Sequence, residues 1–327
     1  MKSSKNHIIL SICILTMNQR DDIDRILKTL STQDSSRLEI IIKDDSSNNE
    51  TEALVKSFKC FKNLTYWHGK PEGIDKTIIF LTKKAKGSYI WWFGDDDFSP
   101  SAVHQVLKAI NRNRDLDFIW ANNIRFDTGS LAIHFDSDKF FNSKNEVLLT
   151  AWSGLGFISS TILKRNLALD ALAEANQFIG SDFVNLFIVL HVLANSKNHF
   201  YIKGPLVINY PALSPEIKSI TTSRVPGKIV NNAFQVFGLN FLKITNYFNN
   251  DFDKKIIYSV NKRNFGRLWR GVIVGWIGGW DTPSKKRIKM LINFYMFPEV
   301  IPAFILFCLP KRINAFLYSI FVKYRIS

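Results

Sequence analysis

Residues 87–97 read Gly-Ser-Tyr-Ile-Trp-Trp-Phe-Gly-Asp-Asp-Asp. The aromatic and β-branched run has the length and composition of a buried strand, and glycine marks its end. Three carboxylates follow at once. Adjacent aspartates repel one another, so local stability does not explain them. At the end of a strand in an open α/β sheet they lie where such sheets bind ligands. Hard carboxylate oxygens there suit Mg²⁺ or Mn²⁺, held jointly with phosphates. Taken alone, the run also reads as a solvated acidic turn ahead of the next helix.

The flanking sequence favours the sheet. Residues 8–15 are an apolar strand, and 22–32 carry Ile23, Ile26, Leu27 and Leu30 at helical spacing. Leu38–Ile42 is a second strand running into Lys43-Asp44-Asp45-Ser46-Ser47. A short helix over 51–58, a strand over 64–67 and a helix over 74–85 lead to the opening stretch. Ser99-Pro100 is a helix-start signal for a helix through Ile110, and 116–120 is a further strand. This alternation predicts an α/β fold with a mostly parallel, doubly wound sheet. Residues 130–215 are mixed, and from about Ser219 the pattern is helical, basic and apolar.

The chain has 327 residues, 46% hydrophobic and 22% charged, which excludes extensive disorder. The net charge of +15 calls for a polyanionic partner, either nucleic acid or an anionic membrane. From Asn261 onward 12 Lys/Arg face only Asp281 and Glu299. Cys13, Cys60 and Cys308 are scattered without metal-ligand spacing, which fits a reducing compartment. The six histidines show no metal spacing either, and Trp91 and Trp92 read as core residues.

Two acidic strand ends belong together, Asp44-Asp45 and Asp95-Asp96-Asp97. The first can accept from a nucleobase or ribose, and the second can carry a divalent ion on a diphosphate. With both in view, the chain resembles a family 2 glycosyltransferase with the GT-A fold, over about residues 8–210. Ser11-Ile-Cys-Ile-Leu-Thr-Met-Asn18 is similar to that family's "S-I-C-I-P-T-Y-N" opening, and Glu39-Ile-Ile-Ile-Lys-Asp-Asp-Ser-Ser47 to "E-I-x-I-x-D-x-x-S". Ala85–Asp97 resembles the run into the "DxD" metal motif. Gly73-Ile-Asp75-Lys-Thr77 and Gly154–Lys164 resemble "G-x-D-x-N" and "G-x-F-x-S-S-x-I-x-K" of the abequosyltransferase group of O-antigen glycosyltransferases.

The resemblance implies site residues one by one. Thr16, Asn18 and Asp44 would hold the nucleoside. Asp75 and Lys76 would line the nucleotide-sugar pocket, with Lys76 as a point charge for phosphate. Asp96 would serve the ribose, and Asp95 and Asp97 the Mn²⁺ or Mg²⁺. Leu15, Met17 and Thr77 depart from the family pattern. Where relatives carry "I-G-T-x-x-x-H", this chain has Ile179-Gly-Ser-Asp-Phe-Val-Asn185 and no histidine. Asp182 is then the candidate general base for an acceptor hydroxyl, or a carboxylate answering the dipole of the following helix.

Residues 291–309 are nearly long enough to cross a bilayer, but Pro298, Glu299 and Pro302 interrupt them and basic clusters flank both sides. A monotopic, interfacial attachment to an anionic membrane fits better, with a helical cap on the catalytic domain as the other reading. The expected layout is a GT-A domain over 1–215 (nucleotide half 1–125, acceptor half 126–215) and a helical, basic, membrane-associating region over 216–327. The expected function is metal-dependent transfer of a deoxy- or dideoxyhexose from a nucleotide-diphosphate sugar. The acceptor would be a polyprenyl-diphosphate-linked oligosaccharide at the cytoplasmic face of the inner membrane, with no nucleic acid involved. The rivals are a nucleotidyltransferase and a non-catalytic nucleic-acid-binding protein.

Overall fold

The computed structural model describes residues 7–34, 36–113, 115–126, 128–209, 234–277 and 312–313. The tail segment 285–311 and the mixed-to-helical transition near 210–233 lie outside the described residues. So do residues 314–327, and with them almost all of the expected membrane-contacting surface. Among the described residues no helix is long and apolar enough to cross a membrane. The chain divides into two compact units, residues 1–211 with 248–256, and residues 212–247 with 257–327.

The first unit is built on one mixed sheet. Its strands are β1 (Leu10–Thr16), β2 (Leu38–Asp44), β3 (Leu64–His68), β4 (Tyr89–Phe93), β5 (Asp97–Phe98), β6 (Phe118–Arg125), β7 (Lys139–Phe140), β8 (Thr161–Lys164) and β9 (His199–Asn209). The order is β3-β2-β1-β4-β8-β6-β9-β5, with β7 on β9. The β3-β2-β1-β4 portion is parallel throughout. Parallel pairing returns between β6 and β9. β8 inserts antiparallel between β4 and β6, and β5 and β7 pair antiparallel with β9.

The helices follow the apolar spacing. In α1 (Arg20–Ser31) Ile23, Ile26, Leu27 and Leu30 face the sheet, while Asp21, Asp22 and Lys28 sit at the ends the helix dipole favours. Then come α2 (Glu50–Ser57), α3 (Ile74–Lys84), α4 (Ala102–Arg112), α5 (Lys144–Ala151), α6 (Arg165–Asp170), α7 (Leu172–Ala175) and α8 (Val184–Ala194). Nearly every residue of α8 is buried, as its continuous apolar sequence requires. The helix after Pro100 starts later than the Ser-Pro signal suggests. Ser99 lends its carbonyl to the Ala102 N–H, and the cap comes from elsewhere: Gln33 Oε1 accepts the Val103 N–H at 2.8 Å.

Trp91 and Trp92 are both fully buried, on opposite faces of β4 as alternation demands. Trp91 donates to the Ser159 carbonyl (2.7 Å) and Trp92 to Thr82 Oγ1 (3.2 Å). Phe98 stacks on Phe93 with ring centroids 3.8 Å apart and meets Trp91 edge-on at 4.9 Å. Aromatic packing on both sides thus fixes the ends of the short Asp95–Asp97 segment.

In the second unit a π-helical turn (Phe234–Asn240) leads into α9 (Phe241–Tyr247), and α10 (Lys254–Ile277) belongs to this unit from Ile257 on. Thr245 Oγ1 donates to Asn261 Oδ1 at 2.7 Å, and Asn264 Nδ2 donates to the Phe237 carbonyl at 2.5 Å.

Candidate active site

The parallel strands β1, β2 and β4 deliver their carboxyl ends to one edge, and most candidate residues lie on that edge. At the end of β1 the chain turns through Asn18 in the left-handed region (φ 57°), which asparagine tolerates. The Asn18 N–H donates to Ser46 Oγ (2.7 Å), and Asn18 Oδ1 accepts the Ser47 N–H (3.2 Å). The loops after β1 and β2 are thereby tied together. Thr16 Oγ1 is buried and has no hydrogen-bond partner among the described residues. An orphaned hydroxyl at a strand's carboxyl edge is a ready contact for a polar ligand.

Asp44, which the resemblance implies for the nucleoside, lies at the end of β2. It is fully buried. Its Oδ1 accepts both the N–H (2.8 Å) and the hydroxyl of Ser46, and its Oδ2 accepts the Tyr66 hydroxyl at 2.6 Å. Burial and the adjoining carboxylate push the Tyr66 phenol far up, so it stays a donor. Asp44 therefore organises the 44–47 loop from behind. Its neighbour Asp45 pairs with Lys43 at 2.5 Å and accepts from Thr77 Oγ1 at 3.0 Å, a buried cluster that pins α3 to the end of β2.

The three aspartates of the opening stretch separate in their environments. Asp95 is exposed. Asp96 is buried, with Oδ2 accepting from Ser159 Oγ (2.5 Å) and Oδ1 from Asn209 Nδ2 (3.0 Å). Burial outweighs those bonds and pushes its pKa up to about 7, with the charge of Asp95 adding to the rise. Asp97 is buried too, and Oδ1 takes the Phe98 N–H at 2.8 Å. Its Oδ2 lies 3.2 Å from Arg25 Nε, yet burial still raises its pKa. Arg25 also meets Asp22 (2.7 Å) and the Asp95 carbonyl (2.9 Å), so one guanidinium of α1 holds the whole turn.

Among the described residues no group of three or more His, Cys, Asp or Glu forms a metal cage. Mg²⁺ and Mn²⁺ do not need one where one or two carboxylates act with substrate phosphates. The donor set fits that mode, because the carboxylate oxygens of Asp95 and Asp97 are hard ligands two residues apart on one turn.

Asp75, which the resemblance implies for the nucleotide-sugar pocket, is buried in the first turn of α3 and faces the segment before α8. Its carboxylate accepts three backbone N–H groups, from Gly180 (2.8 Å), Asp182 (2.9 Å) and Val184 (2.9 Å). Lys76, next in sequence, is exposed and only loosely paired with Glu72 at 3.7 Å. Asp182 is exposed and left-handed (φ 56°), just ahead of α8. Asn185, where the resembling proteins carry histidine, is buried and donates to the Gly156 carbonyl at 2.8 Å. That position ties α8 to the 154–160 loop.

The 154–160 loop connects the two sides. A Cβ on Gly156 would lie 2.5 Å from the Phe183 ring, and one on Gly154 would lie 2.4 Å from the Trp120 indole. Only glycine allows this approach. Three residues on, Ser159 holds Asp96. The Asp182 segment and the aspartate turn are thus joined through one short loop.

Residues 11–167 match the family model described as Glycosyl transferase family 2. Those residues are a family 2 glycosyltransferase domain. The chain is 23% identical over 222 residues to the abequosyltransferase RfbV of Salmonella typhimurium, covering 62% of this chain and 66% of that protein. It is 26% identical over 196 residues to a GalNAc(5)-diNAcBac-PP-undecaprenol beta-1,3-glucosyltransferase of Campylobacter jejuni, covering 54% and 59%. The match thus spans under two thirds of either relative. The fold is that of Staphylococcus aureus TarS 1–349, solved with UDP-GlcNAc, at a TM-score of 0.66 and 14% identity over 94% of this chain and 88% of that one.

The residues that sequence reasoning missed are Ser159, Asn209, Arg25 and Tyr66. Ser159 lies within Gly154–Lys164, but its partner Asp96 is 63 residues away and nothing local signals the pair. Arg25 carried only its i, i+3 spacing from Asp22, a common surface pattern.

Proposed function

We propose that this glycosyltransferase moves a hexose, of the deoxy or dideoxy class, from a nucleotide-diphosphate sugar to a lipid-linked oligosaccharide of a surface polysaccharide. The observation that carries the reading is the 154–160 loop, which packs on Phe183, the neighbour of Asp182, and bonds Asp96 through Ser159. The names of the relatives support the lipid-linked acceptor, and the fold supports the nucleotide-sugar donor.

The nucleoside rests on Thr16 and the Asn18–Ser47 link, with Asp44 fixing the loop beneath and Asp96 reaching the ribose. Asp95 and Asp97 would hold a divalent cation, and Lys76 would offer a point charge to phosphate. When bound, that cation supplies charge to stabilise the departing diphosphate. Asp182 takes the proton of the acceptor hydroxyl as its oxygen bonds to the anomeric carbon and the C–O bond to the diphosphate breaks. Attachment of the basic C-terminal region to anionic lipid at the cytoplasmic face would bring the acceptor to the domain.

Thermal stabilisation by CDP-, dTDP-, GDP- and UDP-hexoses, with and without Mn²⁺, tests the reading. The expected result is a rise in unfolding temperature with one nucleotide class, larger with Mn²⁺. Release of pyrophosphate from a nucleoside triphosphate would instead identify a nucleotidyltransferase.

A further inference from the structure

We propose that Asp75 is a positioning residue that sets the orientation of Asp182, a conclusion that rests on Asp182 acting as the base. The segment 180–184 is unusual backbone. Gly180 has φ 90° and Asp182 φ 56°, so alternate peptide N–H groups turn toward one point and make a concave anion-binding nest. In this protein the occupant is no ligand. It is the carboxylate of Asp75, more than 100 residues earlier in the chain, and it accepts from residues 180, 182 and 184.

Charge-assisted bonds to backbone N–H groups are among the stronger hydrogen bonds. Here they hold a non-glycine residue in a conformation it rarely adopts, so the direction of the Asp182 side chain is set by where Asp75 sits. Asp75 is placed in turn by its own helix. Gly73, in the left-handed region (φ 88°), lets α3 begin there. Thr77 on the same helix turn is tied to Asp45. Residues 75 and 77 stand about 200° apart around a helix, so one turn of α3 faces two loops. One loop carries the donor-side strand end and the other carries the base.

Asn at position 75 keeps the shape of the side chain but removes the charge and replaces one acceptor with a donor. Asp75→Asn, Asp182→Asn and the double variant are compared in turnover, read as nucleoside diphosphate release from the CDP-, dTDP-, GDP- and UDP-hexose panel with vesicle-borne polyprenyl-diphosphate oligosaccharide. Expected for Asp75→Asn is a fall in kcat of roughly tenfold to a hundredfold, a donor KM within about twofold, and a displaced acidic limb of the kcat profile. In the Asp182→Asn background the same change has no further effect on kcat, because Asp75 acts through Asp182.

Equal loss of kcat in both backgrounds, or an unmoved acidic limb in Asp75→Asn, overturns the proposal. Near-normal turnover of Asp182→Asn alone removes the base reading and this inference with it, and the single variant shows that independently. Thr77→Val cuts the other tie of the same helix turn and controls for loss of stability. It leaves the acidic limb in place, and an equal displacement there also overturns the proposal. Should Asp75→Asn not fold, Asp75→Glu keeps the charge and displaces the carboxyl by one methylene, with the same expected split between kcat and KM.

Discussion

Ser159 Oγ donates a 2.5 Å hydrogen bond to Asp96 Oδ2, joining a loop of the second half of the domain to the aspartate turn of the first. The bond favours the ionised form of a carboxylate whose burial favours the neutral one. Ser159→Ala is expected to cost about 1–2 kcal/mol at pH 8, where Asp96 is ionised, and less at pH 5. Chemical denaturation at the two pH values measures it.

Asp96 also sets a pH dependence of stability. Folded, it keeps its proton until about pH 7, whereas its ordinary pKa is 3.8. The native state therefore binds more protons than the unfolded chain between those values, and stability falls as pH rises through that window. Asp96→Asn abolishes this contribution. The stability difference between variant and wild type should grow in the variant's favour from pH 5 to pH 8. His199, pushed down to about 4 by burial, acts in the opposite direction below about pH 6.5, but it is common to both proteins and cancels in the difference.

Arg25 is expected to compete with a divalent cation for Asp97. Arg25→Met should lower stability by about 1–2 kcal/mol, a modest loss because the guanidinium is partly exposed. It should also raise the affinity for Mn²⁺ in the presence of nucleoside diphosphate. Calorimetric titration of Mn²⁺ into both proteins decides, and unchanged or weaker binding in the variant contradicts the competition.

Gly156 and Gly154 make a matched pair. An added methyl at either position meets an aromatic ring at 2.5 or 2.4 Å, and each substitution by Ala should cost about 1–3 kcal/mol. Only Gly156 presses on Phe183, the neighbour of Asp182. Gly156→Ala should therefore lose more kcat than Gly154→Ala at similar loss of stability, as paired melting curves and turnover rates would show.

The first 120 residues were legible because their information is local. Ile23, Ile26, Leu27 and Leu30 declare α1 by spacing alone, and the run 89–93 declares β4 by composition. The antiparallel entry of β8 between β4 and β6 was not legible, because four residues of ordinary β propensity pair with strands far away in sequence. The identities of the acidic residues were readable, but their partners were not. Asp75 looks the same in sequence whether it faces a nucleotide or the backbone of Gly180, and a contact between positions 105 apart leaves no local pattern. Asn185 stands where the family pattern has histidine, yet its bond to the Gly156 carbonyl depends on the close approach of two segments far apart in sequence.

The central claim is that Asp182 removes the acceptor proton while other groups hold the donor. Asp182→Asn, assayed side by side for donor binding and for transfer, tests it most directly. The account predicts donor affinity within about twofold of wild type and kcat lower by roughly 10²–10⁴-fold, the usual contribution of a general base. Near-normal transfer by the variant would contradict it.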